Sequence, residues 1–134
     1  MKLKNFWQFI LVFVLLFLFG CESKTVKVDG DYVIITAQKV RENETLEEYM
    51  LYLQGTRELT FETQSSDWGA FIVSVNGKAN STNSYWMVYT SDSENADTAY
   101  TAEYDGKLYG SASVGITSLV VKEGETYILY YQTF

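Results

Sequence analysis

The stretch Thr45-Leu46-Glu47-Glu48-Tyr49-Met50-Leu51-Tyr52-Leu53-Gln54-Gly55 decides the fold. Leu46, Tyr49, Met50 and Leu53 recur at i, i+3, i+4 and i+7, the spacing of one helix face. Thr45 and Glu48 form a capping-box pair at its start, and Gly55 supplies a C-terminal stop. Beyond this helix the pattern changes to β. Leu59–Thr63, Phe71–Val75, Tyr85–Thr90, Ala99–Tyr104, Lys107–Ser111, Leu119–Val121 and Thr126–Gln132 read as short strands. Asn76-Gly77 and Asp105-Gly106 are hairpin turns, because both residues of such a pair tolerate positive φ. Lys122-Glu123-Gly124-Glu125 marks a third turn, and Ser91–Thr98 is a polar, acidic loop.

Upstream, Tyr32–Val40 is rich in Val and Ile and reads as a buried strand, with Thr25–Val28 as an edge strand beside it. One early helix followed by hairpins predicts an α+β domain: a small open sandwich of mostly antiparallel strands with the helix packed on the sheet. In the closing strand, Tyr127, Leu129 and Tyr131 fall on one face and Ile128 and Tyr130 on the other. Both faces of the sheet are therefore expected to be covered.

Composition narrows the chemistry. The 134 residues include 10 basic and 17 acidic side chains, a net charge of −7, with no His, no Pro and one Cys. Without His there is no Ser–His or Cys–His relay and no imidazole ligand for a metal. One Cys excludes an internal disulfide and a multi-thiolate zinc site. The acidic balance argues against nucleic acid as partner. Aromatic residues make up 16% of the chain, including 11 Tyr, which suits a β-rich core or a binding surface. No nucleophile has a general base near it in sequence, so a non-enzymatic role is expected. Asp92, Glu94 and Asp97 are spaced like part of a calcium loop, but the Gly and closing Glu of an EF-hand are missing, and no metal site is assigned.

Residues 1–20 read as an address. Lys2 and Lys4 precede the apolar run Phe6–Phe19, which at about fourteen residues is shorter than the roughly twenty of a comfortable span. Leu18-Phe19-Gly20-Cys21 resembles a bacterial lipobox, which implies removal of residues 1–20 and acylation of Cys21. An uncleaved N-terminal membrane anchor is the alternative. Either reading expects the protein on the extracytoplasmic face of the cell membrane, held there by a lipid anchor or by that span. Loss of Lys2 and Lys4 takes the net charge from −7 to −9. Residues 21–31 then form the lipidated cysteine and tether, and residues 32–134 the domain.

Within that domain the ordered pieces Thr45–Glu48, Phe61–Ser66, Gly69–Ala79, Tyr85-Trp86, Val114-Gly115-Ile116 and Lys122–Ile128 resemble the C-terminal domain of transcobalamin and intrinsic factor, and small bacterial lipoproteins carrying the same module. The resemblance implies a β-grasp-like or open-sandwich fold that meets cobalamin. It places the contacts at Thr63, Gln64, Ser65, Gly69, Phe71, Ile72, Trp86, Val88 and Tyr89. Two departures stand out. The large all-helical domain that precedes this module in the carriers is absent, so the module is expected to bind weakly alone, or to act with a separate all-helical partner domain or with a membrane importer that takes the ligand onward. Ser91–Ser113 is longer than its counterpart and holds an additional hairpin, at residues 99–111.

A corrinoid is flat, with amide side chains and an apolar rim, so hydroxyl, amide and aromatic side chains suit it. Trp68, in a loop between Asp67 and Gly69, joins the candidates on this ground. The same residues have plainer readings. Period-two alternation across Tyr85–Tyr89 buries one face regardless, so Trp86 reads equally as core, and Phe71 reads as core or contact. No intrinsic cofactor is expected; cobalamin is the expected ligand. The competing expectation is a cell-surface module that grips a protein or an envelope polymer through the aromatic hairpin Ala99–Ser111.

Overall fold

A computed structural model describes residues 24–134; the expected signal peptide at residues 1–20 and the acylated Cys21 lie outside the described residues. The elements in chain order are β1 (Val26–Asp29), β2 (Tyr32–Thr36), α1 (Leu46–Gly55), β3 (Phe61–Ser66), β4 (Gly69–Val75), β5 (Lys78–Ala79), β6 (Ser84–Thr90), β7 (Ala96–Tyr104), β8 (Lys107–Ala112) and β9 (Thr126–Thr133). They build an α+β open sandwich. A six-stranded sheet runs β1-β2-β9-β6-β8-β7, and a three-stranded sheet runs β3-β4-β5. Every strand pair described is antiparallel. Among the described residues no helix is long and apolar enough to cross a membrane.

The helix forms as its sequence dictates. The Thr45 hydroxyl accepts from the Glu48 N–H at 3.2 Å, and the Glu48 carboxylate accepts from the Thr45 N–H at 3.2 Å. Leu46, Tyr49, Met50 and Leu53 form the buried stripe. The C-terminus differs from expectation. Gly55 stays helical, and the left-handed residue is Arg57 at φ 64°, two positions on. Both hairpin turns have positive φ at both central residues: Asn76 and Gly77 at 49° and 79°, Asp105 and Gly106 at 51° and 77°. One other expectation shifts: Leu119–Val121 is not a strand, and Val120 makes a single bridge to Thr45. The edge strand expected at Thr25–Val28 forms one residue later, as Val26–Asp29, paired with β2 from Val26↔Ile35 to Asp29↔Tyr32.

Two cores result. On the inner face of the large sheet, Val33, Ile35, Trp86, Tyr127 and Leu129 pack against the α1 stripe and against Ile72 and Val75 of the small sheet. Each such fully buried aliphatic side chain contributes about 1.5–3 kcal/mol. On the outer face, Ile34, Tyr89 and Ile128 are covered by Ala102 and Tyr109 of the β7–β8 hairpin. That hairpin joins β6 through two residue pairs, Tyr89↔Ser111 and Thr90↔Gly110, then folds back across the sheet. Its far end reaches β1, where the Tyr104 hydroxyl donates to Asp29 Oδ2 at 2.8 Å. Tyr32 stacks on Tyr130 with ring centroids 4.4 Å apart, and Tyr104 lies tilted against Tyr32 at 5.1 Å.

Candidate functional site

The ten residues read from sequence as ligand contacts do not form one surface. Six of them gather on the β3–β4 hairpin: Thr63, Gln64, Ser65, Trp68, Gly69 and Phe71. Gln64 pairs directly with Phe71 across the two strands, which puts the amide and the ring side by side on one face. Phe71 is 46% exposed, and Thr63, Gln64 and Ser65 are exposed. At the tip, Trp68 is 93% exposed.

The tip is held in place. The Ser66 hydroxyl donates to the Gly69 carbonyl at 2.6 Å and accepts from the Trp68 N–H at 3.2 Å. Gly69 takes φ +102°, and a Cβ there would stand 3.1 Å from the Thr117 side chain, so both conformation and space favour glycine. The Ala70 N–H donates to Thr117 Oγ1 at 2.9 Å, and Thr117 donates onward to Glu47 at 3.4 Å. A rigid turn thus presents a large ring to solvent, braced by the segment before β9 and by the first turn of α1.

The other four candidates lie elsewhere. Ile72 and Val88 pack into or against the inner core. Trp86 is 7% exposed, its indole N–H donates to the Lys78 carbonyl at 2.7 Å, and its ring lies 5.1 Å from that of Tyr131. Its polar edge is therefore satisfied within the protein. Tyr89 is 4% exposed in the outer core, where its hydroxyl donates to Gln132 Oε1 at 2.6 Å and burial pushes its pKa up. Strand alternation sends Trp86 and Val88 to one face of β6 and Tyr89 to the other. No single ligand face contains both Trp86 and Tyr89.

A broad groove of about 730 Å³ opens beside α1, bordered by Lys39, Arg41, Glu44, Glu48, Leu51 and Tyr52. None of these belongs to the predicted set. Arg41 is committed to the buried Glu44, with the guanidinium 2.8 Å and 3.2 Å from Oε2, a pairing that raises its pKa. The helical pattern assigned the inner stripe of α1 and left its solvent face, with Leu51 and Tyr52 exposed, unread.

The acidic loop is paired with the turn before β9. Lys122 Nζ donates to Asp92 at 3.0 Å and to Glu94 at 2.7 Å. Among the described residues no group of three or more acidic or thiol side chains is arranged to hold a metal ion.

The arrangement presents hydroxyl, amide and aromatic groups on a firm, projecting surface. It is suited to gripping a ligand between this surface and another body rather than to enclosing one. No protein-family model, curated protein or solved structure matches this chain.

Proposed function

We propose that this chain is a lipid-anchored extracytoplasmic binding module, acylated at Cys21, whose β3–β4 face takes a flat, amide-bearing small molecule of the corrinoid class. The observation that carries the reading is the Gln64–Phe71 pair: an amide beside a half-exposed ring on one face of the β3–β4 hairpin, with the exposed hydroxyls of Thr63 and Ser65 at the alternate positions of the same strand. A corrinoid needs those two chemistries side by side, hydrogen bonding for its amides and apolar contact for its rim. The face is open, so it forms one wall of a site, and a second body supplies the other; an all-helical partner or an importer is the class proposed. The role is capture and local concentration at the membrane, not catalysis. Any cobalt axial ligand comes from the corrinoid itself, water or the partner, since the chain has no His.

Equilibrium dialysis of the detergent-solubilised chain against cyanocobalamin tests this. Saturable binding that weakens in Phe71→Ala and Gln64→Ala is expected. No uptake at millimolar ligand, with the fold intact by circular dichroism, overturns autonomous capture.

A second reading is favoured by Tyr100 and Leu108, both exposed on the β7–β8 hairpin. There the module grips a protein or an envelope polymer. Tyr100→Ala with Leu108→Ala then abolishes partner pull-down and leaves cyanocobalamin dialysis unchanged.

A further inference from the structure

The geometry points to Trp68 as a membrane-contacting residue that turns the β3–β4 tip toward the bilayer on which the chain is anchored. This rests on the acylation of Cys21 proposed above. Three residues separate Cys21 from Thr25, four Cα-to-Cα steps that reach about 14 Å at full extension. Thr25 is already fixed, because its carbonyl accepts from the Thr36 N–H at 2.8 Å. The eight-residue β9 spans about 26 Å at about 3.3 Å per residue. So short a tether cannot bring the far end of the sandwich to the membrane; the end holding Thr25 must face it.

A chain of backbone contacts shows what else that end carries. Beyond Thr36, Ala37 accepts from the Gly124 N–H and Glu44 from the Val121 N–H. Leu46 and Glu47 donate to the carbonyls of Leu119 and Ile116. The next contact is Thr117 with Ala70, at the base of the Trp68 turn. The opposite turn of the small sheet lies at the other end, where Lys78 pairs with Asp31 at 2.7 Å. Trp68 therefore projects at the anchored end, with exposed Val114 in the adjoining segment beside Ala70.

An indole is the side chain best matched to a headgroup region, where its ring is half in apolar surroundings and its N–H is wet. Trp68 has no competing role inside the fold. Glu47 and Asp67 stand beside the Trp68 turn and the exposed Lys24 beside the tether, so contact here rests on the indole rather than on headgroup charge, and a zwitterionic bilayer suffices. With the tip seated, the Gln64–Phe71 face stands beside the bilayer.

The experiment uses the acylated chain in phosphatidylcholine–phosphatidylethanolamine vesicles. Cys21 is the sole cysteine, so once acylated it leaves an introduced thiol as the single labelling site. Asp67→Cys and Ser81→Cys place a fluorophore at the Trp68 turn and at the opposite end. Vesicle flotation is read first, then quenching by headgroup-region spin-labelled lipid. Expected are flotation of both variants, loss of fluorescence at position 67, none at 81, and recovery at 67 when Trp68→Ala is added. Failure to float overturns the anchor and the orientation together. Flotation with equal quenching at both sites overturns the orientation, and quenching at 67 that survives Trp68→Ala overturns the membrane contact assigned to Trp68.

Discussion

Trp86 and Tyr89 stand three residues apart on β6 and lie in separate cores, Trp86 against Tyr131 beneath the small sheet and Tyr89 beneath the β7–β8 hairpin. Both are aromatic, and both come from the strand that the resemblance marks as ligand-contacting. Neither reaches the surface that Gln64, Trp68 and Phe71 share. The two tryptophans of the domain, Trp68 and Trp86, thus have opposite tasks.

Their substitutions separate accordingly. Trp86→Ala removes a core side chain and leaves the Lys78 carbonyl without its donor, and is expected to cost about 3–5 kcal/mol. Trp68→Ala removes a ring with almost no burial and is expected to change stability by less than about 0.5 kcal/mol. Urea unfolding followed by far-ultraviolet circular dichroism checks both. Comparable losses for the two variants would contradict the assignment of Trp68 to the surface.

The contrast also shows what the sequence could reveal. The α1 stripe and its cap depend on residues within four positions of each other, so they are legible in Thr45–Leu53 without tertiary knowledge. The same holds for the Asn76-Gly77 and Asp105-Gly106 turns. Alternation along β6 was legible too, but it says only that Trp86 and Tyr89 face opposite ways. What covers each face depends on the β7–β8 hairpin folding back until Tyr104 meets Asp29, a contact 75 residues apart in sequence. No local pattern encodes that return. The exposed Trp68 turn was legible because Asp67 and Gly69 flank a bulky ring with no apolar neighbour in sequence.

The cap itself is testable. Thr45 and Glu48 exchange reciprocal hydrogen bonds at the start of α1. Thr45→Ala should destabilise the domain by about 1 kcal/mol, while Thr45→Ser should restore most of it. A shift in the urea midpoint with an unchanged slope is the expected signature. No shift in Thr45→Ala would mean that the bridge to Val120 and the Leu46 and Glu47 contacts hold the helix start unaided.

Gly110 governs the hairpin that closes the outer core. A Cβ at this position would stand 2.7 Å from the Ala96 Cβ and 3.1 Å from the Asp97 carbonyl oxygen. The register shift between Asp97 and Thr101 lies beside it, where β7 bulges past β8. Gly110→Ala should force the strands apart at about 1–3 kcal/mol. Hydrogen exchange should show the loss first in the amides of β7 and β8, with α1 protected. Uniform loss of protection would place the strain outside the hairpin.

Acid should unfold the domain partly through Asp92. This carboxylate is nearly fully buried; its Oδ1 accepts from the Glu94 N–H at 3.1 Å and from Lys122 at 3.0 Å, and its Oδ2 from Asn95 at 2.8 Å. Burial alone would push its pKa up. The bonds from Asn95, Lys122 and the Glu94 N–H, with the Lys122 charge, outweigh that and hold it below the usual carboxylate value. A folded-state pKa below the unfolded value of about 3.9 stabilises the fold above that pH, and the contribution is lost as pH falls through the folded value. Lys122 works in the other direction. Glu94 and Asp92 raise its pKa, so its contribution is complete below about 10.4 and is lost only as pH rises through the higher folded value. The cluster is therefore intact between about pH 4 and pH 10. Asp92→Asn should cost about 1–3 kcal/mol at neutral pH, and the gap from the wild type should narrow as pH falls below the usual carboxylate range and the native carboxyl takes up its proton. Urea unfolding over a series from neutral to acid pH measures it. A gap of constant size would show that Asp92 acts through hydrogen-bond shape and not through its charge.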